Sequence, residues 1–297
     1  MKLSDLLEHC RITSGKKFKL KDHDPSWAGD KDVAKDERKS LAEKLLSEDT
    51  AQLAEAQDVL YAADTWSILV VLQAMDAAGK DGIIKHVMSG VNPQGCQIYS
   101  FKQPSAEELD HNFLWRCTVR LPERGKIGIF NRSYYEEVLV VKVHPEFLAG
   151  QRIPDSKVDK DFWQARYEDI NNFEKHLSRN GTKIVKFFLN ISKEEQRKRF
   201  LARIDTPDKH WKISPSDIAE REHWDEYMEA FDECIANTAS DDAPWYVIPS
   251  NHKWVSRALV ANILVETIRE LKLKYPEVTD AKLKAIEAAR RELEKEK

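Results

Sequence analysis

The chain has 297 residues, enough for a full hydrophobic core, and 47 lysines and arginines stand against 51 aspartates and glutamates for a net charge of −4. That balance excludes a general affinity for nucleic acid or anionic membrane, so any basic site has to be local. Cys10, Cys96, Cys117 and Cys234 are far apart with no CxxC pair, there is no signal-peptide core, and no apolar run reaches membrane-spanning length; a reduced cytoplasmic protein is expected, without a disulfide framework or structural zinc.

Residues 1–34 are polar, with Lys16, Lys17, Lys19 and Lys21 alternating with apolar or small residues, and read as an arm laid over the domain. From Lys35 to Ala63, Leu41, Leu45, Leu46, Leu53, Val59 and Leu60 recur at helical spacings, interrupted near Ser47–Thr50; two helices or one kinked helix are expected. The apolar run from Ser67 to Gln73 predicts a buried strand, and Ile83 to Met88 the start of a helix. Gly90–Gly95 is a turn cluster, followed by a short strand at Gln97–Phe101. Ser105 and Glu108 form a capping box for a helix with Leu109, Phe113, Leu114 and Cys117 on one face. Further strands are predicted at Lys126–Phe130, Lys183–Leu189 and Trp245–Pro249. Helices are predicted at about Asp159–Ser178, with Gly181 to end it, after the Ser192/Glu195 capping box, and at Val255–Leu273. Residues 276–297 read as a charged, peripheral helical tail. Strands alternating with helices imply an α/β fold with a parallel sheet and helices on both faces, and ligands in such sheets gather at the carboxyl ends of the strands.

The segment from Ser67 to Gly82 carries the strongest chemical signal. Strand, small-residue loop with Asp76, Gly79 and Lys80, then helix is the setting in which a phosphate-binding loop is credible. Backbone N–H groups and the positive end of a helix dipole face an anion there, with a lysine beside it. The Walker A pattern asks for glycine at 74 and a hydroxyl at 81, and the chain has Ala74 and Asp81. The missing hydroxyl is a magnesium ligand in standard nucleotide hydrolases, and either Asp76 or Asp81 is available to hold the metal instead.

Two other charged segments follow strands or helices. Asn131 and Arg132 end a buried strand, where many phosphate-binding α/β proteins place a metal-linked aspartate; Asn131 orients groups without bringing charge, and Arg132 offers a bidentate fork for phosphate or a partner for an ion pair. Residues 203–212 break at Thr206-Pro207-Asp208, and Lys209, His210 and Lys212 surround Trp211. A cation-rich loop opposite a phosphate site resembles the lid of a nucleoside monophosphate kinase, which closes over the transferring group; the alternative is a solvated surface loop. No histidine has a partner at metal spacing, and transfer to an already ionised phosphate oxygen hardly needs a base.

Residues 74–82, the Gly90-Val-Asn-Pro turn, the run from Phe130 to Glu136, and Arg203 with Lys209 to Lys212 together resemble the family-2 polyphosphate kinases over about residues 15–275. The resemblance implies a three-layer, thymidylate-kinase-like P-loop fold over 35–275 with a helical lid at about 203–221. It further implies Mg2+ dependence (with Mn2+ as a substitute) and phosphate transfer between inorganic polyphosphate and nucleotides. By position, Asp76 resembles the metal-organising carboxylate and Lys80 the phosphate-neutralising lysine, with Arg132 supporting the transferred group. Ala77, Ala78, Gly79, Asp81, Gly82 and Lys85 would bind phosphate, with Arg203, Lys209 and Lys212 as lid cations gripping polyphosphate. Asn92, Asn131, Tyr134 and Glu137 would lie near the nucleotide. Where the best-known subfamily has Asp-Arg-Ser-Trp-Tyr, this chain has Asn131-Arg-Ser-Tyr-Tyr, similar to the subfamily that phosphorylates both AMP and ADP. The expected partners are polyphosphate and adenine nucleotides (guanine as the alternative base), with a homo-oligomer and neither nucleic acid nor membrane. Alternatives are an ADP-restricted or polyphosphate-forming enzyme, an ATP-dependent monophosphate kinase, and a non-catalytic binding module.

Overall fold

A computed structural model of the chain describes residue 7, residues 9–154 and residues 157–296. Among the described residues six strands form one sheet: β1 (Arg11–Ile12), β2 (Ser67–Gln73), β3 (Cys96–Ser100), β4 (Ile127–Asn131), β5 (Thr182–Asn190) and β6 (Trp245–Pro249), in the order β1-β6-β5-β2-β4-β3. β2 is buried along its whole length, as an apolar run without alternation requires of a central strand covered on both faces. It pairs in parallel with β4, Val71 opposite Phe130, and with β5, Leu72 opposite Phe187. The expected parallel sheet is present with one addition. The arm contributes β1, antiparallel to β6, a two-residue pairing too short for any periodicity to announce.

The helices are α1 (Lys35–Ala63), α2 (Lys80–Val87), α3 (Lys160–Arg179), α4 (Lys193–Ile204), α5 (Trp224–Thr238), α6 (Lys253–Glu270) and α7 (Asp280–Leu293), with shorter turns between them. α6 is apolar almost all round because it packs on β5 and β6 and is covered by α1 and α2. α3 packs on β5 and α5, covering the sheet elsewhere. α1 runs unbroken through Ser47–Thr50, because the Thr50 hydroxyl bonds back to the Leu46 carbonyl at 2.7 Å and needs no exit from the helix. The helix expected after Ser105 stops at Leu109 and resumes only at Trp115–Thr118, where the Asn112 side chain accepts from the Leu114 N–H and starts a new turn. α5 was not expected, although its buried Trp224, Tyr227, Phe231, Cys234, Ile235 and Thr238 follow helical spacing.

The arm reaches the carboxyl end of the sheet. Leu20 joins the core, Asn190 at the end of β5 donates to the His23 carbonyl at 2.8 Å, and the Asn251 N–H beyond β6 donates to the Pro25 carbonyl at 3.0 Å. Residues 276–296, including α7, are exposed throughout. Among the described residues no helix is long and apolar enough to cross a membrane.

Candidate active site

β2 ends at Gln73, and the chain turns through residues 74–79 into α2. Gly79 has φ +120°, which favours glycine. Ala77 has φ +60° despite its Cβ, a left-handed conformation costing on the order of 1 kcal/mol that neighbouring contacts must sustain. Lys80 opens α2 and folds back, its Nζ donating to the Ala74 carbonyl at 2.8 Å. The loop therefore closes on its own lysine, half-buried at the helix N-terminus. Burial lowers the Lys80 ammonium from its ordinary value, partly opposed by the Asp76 charge.

Arg132 follows β4 in the left-handed region (φ +64°), fixed there by its N–H to the Leu72 carbonyl at 3.0 Å. This turns its side chain across the loop. Nη2 donates to Asp76 Oδ1 at 3.0 Å, and Nη1 lies 3.6 Å from Glu136 Oε2. Burial pushes the Asp76 carboxyl up, but Lys80 and Arg132 together hold it below its usual value. Glu136 goes the other way, because its burial outweighs the attraction of Arg132 and Lys80. On the opposite side Asp81 accepts from Asn131 Nδ2 at 3.1 Å and from Lys212 Nζ at 3.4 Å.

A cleft of about 620 Å3 opens beside these groups at the carboxyl end of the sheet. The predicted Asp76, Ala77, Ala78, Gly79, Lys80, Asp81, Gly82, Arg132, Arg203, Lys209 and Lys212 all line it. Asn131 stands at its rim through Asp81. Lys85 is exposed further along α2, and Asn92 is exposed and caps a turn by accepting from the Gln94 N–H. Tyr134 is buried and donates to Glu174 at 2.8 Å, while Glu137 is buried and accepts from Arg166 at 3.0 Å and Gln151 at 2.7 Å. The segment expected to act as a lid comprises the turn Pro207–Lys212, the short helix Pro215–Ala219 and the turn Glu220–His223. Arg203 Nη1 holds this turn by donating to the Lys212 carbonyl at 3.2 Å, and Trp211 stands 79% exposed beside Lys212.

Sequence reasoning missed Lys102, Arg199, Lys253, Ser256 and Arg257, which also line the cleft. The signal was available for two of them. Lys253 and Arg257 are one helical turn apart at the start of the helix that follows β6, the same strand-end position that pointed to Arg132. Among the described residues, nine cationic residues line the cleft against three acidic ones, in a chain whose overall charge is negative. Such focusing concentrates an anionic ligand carrying several charges.

Among the described residues no group of three or more His, Cys, Asp or Glu is placed to hold a metal. Magnesium, however, is commonly bound by one or two carboxylates together with substrate phosphates and water. The Asp76 carboxylate, ionised and facing a phosphate-sized cationic cleft, fits that mode and not a closed protein cage.

A family model described as polyphosphate kinase 2 matches residues 35–276. An ADP-polyphosphate phosphotransferase of Rhodopseudomonas palustris is 53% identical over 258 residues, 86% of this chain and 89% of the relative. An AMP/ADP-polyphosphate phosphotransferase of Meiothermus ruber is 42% identical over 276 residues, 93% of this chain and 98% of the relative. The crystal structure of polyphosphate kinase 2 from Arthrobacter aurescens superimposes with a TM-score of 0.84 at 39% identity, covering 95% of this chain and 96% of that one.

Proposed function

The chain belongs to the polyphosphate kinase 2 family, and we propose from that premise that it moves the terminal phosphoryl group of inorganic polyphosphate onto AMP and onto ADP, forming ADP and ATP. The observation that carries this reading is the cationic cleft around the 74–82 loop, with nine positive side chains against three negative. A monophosphate kinase closing on one nucleoside triphosphate has about four phosphate charges to balance. A phosphate chain brings about one charge per residue along its whole length, and the cations here come from both cleft walls and the lid.

In the reaction an ionised phosphate oxygen of the acceptor nucleotide attacks the terminal phosphorus of the chain. That P–O bond forms as the bond from the same phosphorus to the oxygen bridging it to the penultimate phosphate breaks, and the shortened polyphosphate leaves with the electron pair. No side chain has to take a proton, so the protein supplies alignment and charge neutralisation. Lys80 and Arg132 stand on the two sides of Asp76, where they neutralise the transferred group as charge spreads over its equatorial oxygens. Asp76 would hold Mg2+, which would supply further neutralisation of phosphate charge there. Lys209 and Lys212 grip the chain from the lid, which excludes water from the reacting bond.

The relative from Meiothermus ruber is named for both AMP and ADP, and the Asn131-Arg132-Ser133 run supports that acceptor range here. The more similar relative from Rhodopseudomonas palustris is named for ADP alone, which makes ADP-restricted transfer the second reading. Incubation of the pure protein with magnesium, AMP and long-chain polyphosphate, with no ATP present, separates the two. ADP followed by ATP is expected. No product from AMP but ATP from ADP would select the second reading, and no product from either acceptor would refute both.

A further inference from the structure

α4 lines the cleft, yet two of its side chains direct their donors at backbone. Gln196 is 1% exposed and Arg199 8%. Gln196 Nε2 donates to the Asp76 carbonyl at 2.9 Å, and Arg199 Nη1 donates to the carbonyls of Ala77 at 3.0 Å and Ala78 at 2.7 Å. Successive carbonyls of the phosphate loop are thereby turned toward α4. In a trans peptide the C=O and the next N–H point in opposite directions, so the N–H groups of Ala77, Ala78 and Gly79 are turned away from α4, that of Ala78 donating to the Met75 carbonyl at 3.3 Å. Outward carbonyls with the alternate N–H groups left available are what an anion nest requires. The same contacts hold Ala77 in its left-handed conformation.

Both side chains also reach beyond the loop. Arg199 Nη2 donates to the carbonyls of Ser250 at 2.6 Å and Asn251 at 3.1 Å, in the turn leading to Lys253 and Arg257, and its Nε is held by Glu195 at 2.8 Å. The Gln196 carbonyl oxygen accepts from Arg221, at the carboxyl end of the lid segment. One turn further along α4, Arg203 holds the Lys212 carbonyl. Loop, lid and the wall after β6 are therefore joined through one face of one helix.

We propose that Gln196 and Arg199 are positioning residues that set the phosphate-loop N–H groups for the polyphosphate chain and couple that setting to the lid. The inference rests on reading the cleft as a polyphosphate site. Neither residue is asked to touch the transferred group. Arg199 acts through the shape of its guanidinium, which reaches carbonyls on two separate segments, and this distinguishes it from a cation that merely adds to the field.

The test uses the full chain carrying Arg199→Lys, which keeps the charge but not the fork, and Gln196→Met, which removes the donor at similar size. Steady-state kinetics with polyphosphate and nucleotide are read beside calorimetric titration with inorganic tripolyphosphate and hydrogen exchange of residues 77–79. Each variant is expected to lower kcat about 10–100-fold, as small misplacements of a reacting group do. KM for polyphosphate and the Kd for tripolyphosphate rise, KM for the nucleotide stays, and exchange at 77–79 speeds up. A role in folding alone would lower the melting temperature and the active fraction while leaving KM, Kd and local exchange unchanged, and that pattern overturns the proposal. So does wild-type behaviour of Gln196→Met, which decides the matter if Arg199→Lys does not fold. If the unmodified protein makes no nucleotide product, the functional reading fails by itself, while the titration and exchange still test whether these residues set an anion-binding loop.

Discussion

Lys186 lies in the middle of β5 with none of its surface exposed, so breaking its network should be among the most damaging single changes available. All three donors of its ammonium are used: Glu174 Oε2 at 2.7 Å, the Thr238 carbonyl at 2.8 Å and the Tyr135 hydroxyl at 2.9 Å. Glu174 Oε1 in turn accepts from the hydroxyls of Tyr134 at 2.8 Å and Tyr135 at 2.7 Å. Burial lowers the Lys186 ammonium from its ordinary value, opposed by the Glu174 charge. Lys186→Met removes the cation and leaves a buried carboxylate, at a cost of about 3–5 kcal/mol. Against a total stability of about 5–15 kcal/mol, that is a large fraction of the margin. Glu174→Gln strands the ammonium and should cost a similar amount. The double variant Lys186→Met, Glu174→Leu buries no unpaired charge, leaving mainly the tyrosine hydroxyls and the Thr238 carbonyl unmatched. It should therefore cost clearly less than the sum of the single losses. Urea unfolding followed by far-UV circular dichroism gives all these values, with midpoints for the single variants expected to fall by about 1 M or more. Single-variant losses below about 1 kcal/mol, or a double loss equal to the sum, would refute the argument that an uncompensated charge dominates. The network matters for the site because Tyr134 and Tyr135 begin two residues after Arg132, whose left-handed backbone aims it at Asp76.

Lys80→Ala should leave the fold intact, since its Nζ bonds only loop carbonyls, and should lower kcat by about 10²–10³, the cost of removing one preorganised charge from a reacting centre; turnover within a factor of three of the unmodified protein would remove Lys80 from the reaction. Asp76→Asn and Glu136→Gln should change stability with opposite signs across acid pH, measured by urea unfolding from pH 3 to pH 7. The folded-state value of Asp76 is depressed, so its contribution is present above the unfolded value of about 3.9 and lost as pH falls through the folded one; the penalty of Asp76→Asn is then full at neutral pH and fades in acid. The folded-state value of Glu136 is raised, so ionisation works against folding above the unfolded value of about 4.3; Glu136→Gln should gain stability as pH rises and gain nothing below that value. Parallel pH profiles for the two variants would contradict the charge arrangement around Arg132.

The strands and the loop were legible because their causes are local. An apolar run without alternation marks a covered strand, and Gly79-Lys80 after it marks the turn into a helix at an anion site. The 74–82 loop and Arg132, at strand carboxyl ends, line one cleft together with Arg203, Lys209 and Lys212 from the end of α4 and the turn beyond it. What stayed hidden depends on tertiary partners. Arg199 is one of several cations in a charged helix, and only the fold shows its guanidinium turned inward onto four carbonyls. Tyr134 and Glu137 share a polar run with Arg132, but the tight turn at Tyr134–Val138 directs them to Glu174 and Arg166 and not to the cleft.

Acidic residues inside a site for a polyanion look contradictory until their partners are considered. Nine cations around about 620 Å3 repel one another, and their side chains would otherwise spread into solvent. Lys80 is instead held on the Ala74 carbonyl, Arg132 on Asp76 and Lys212 on Asp81, with each charge kept at the cleft wall by an internal acceptor. Holding the cations in place lowers the ordering cost that a phosphate chain must overcome on binding. It also gives Asp76 and Asp81 a purpose that does not depend on metal. At position 81, where the Walker A pattern has a hydroxyl, the carboxylate ties the 74–82 loop to both Asn131 and Lys212, joining it to the end of β4 and to the turn Pro207–Lys212.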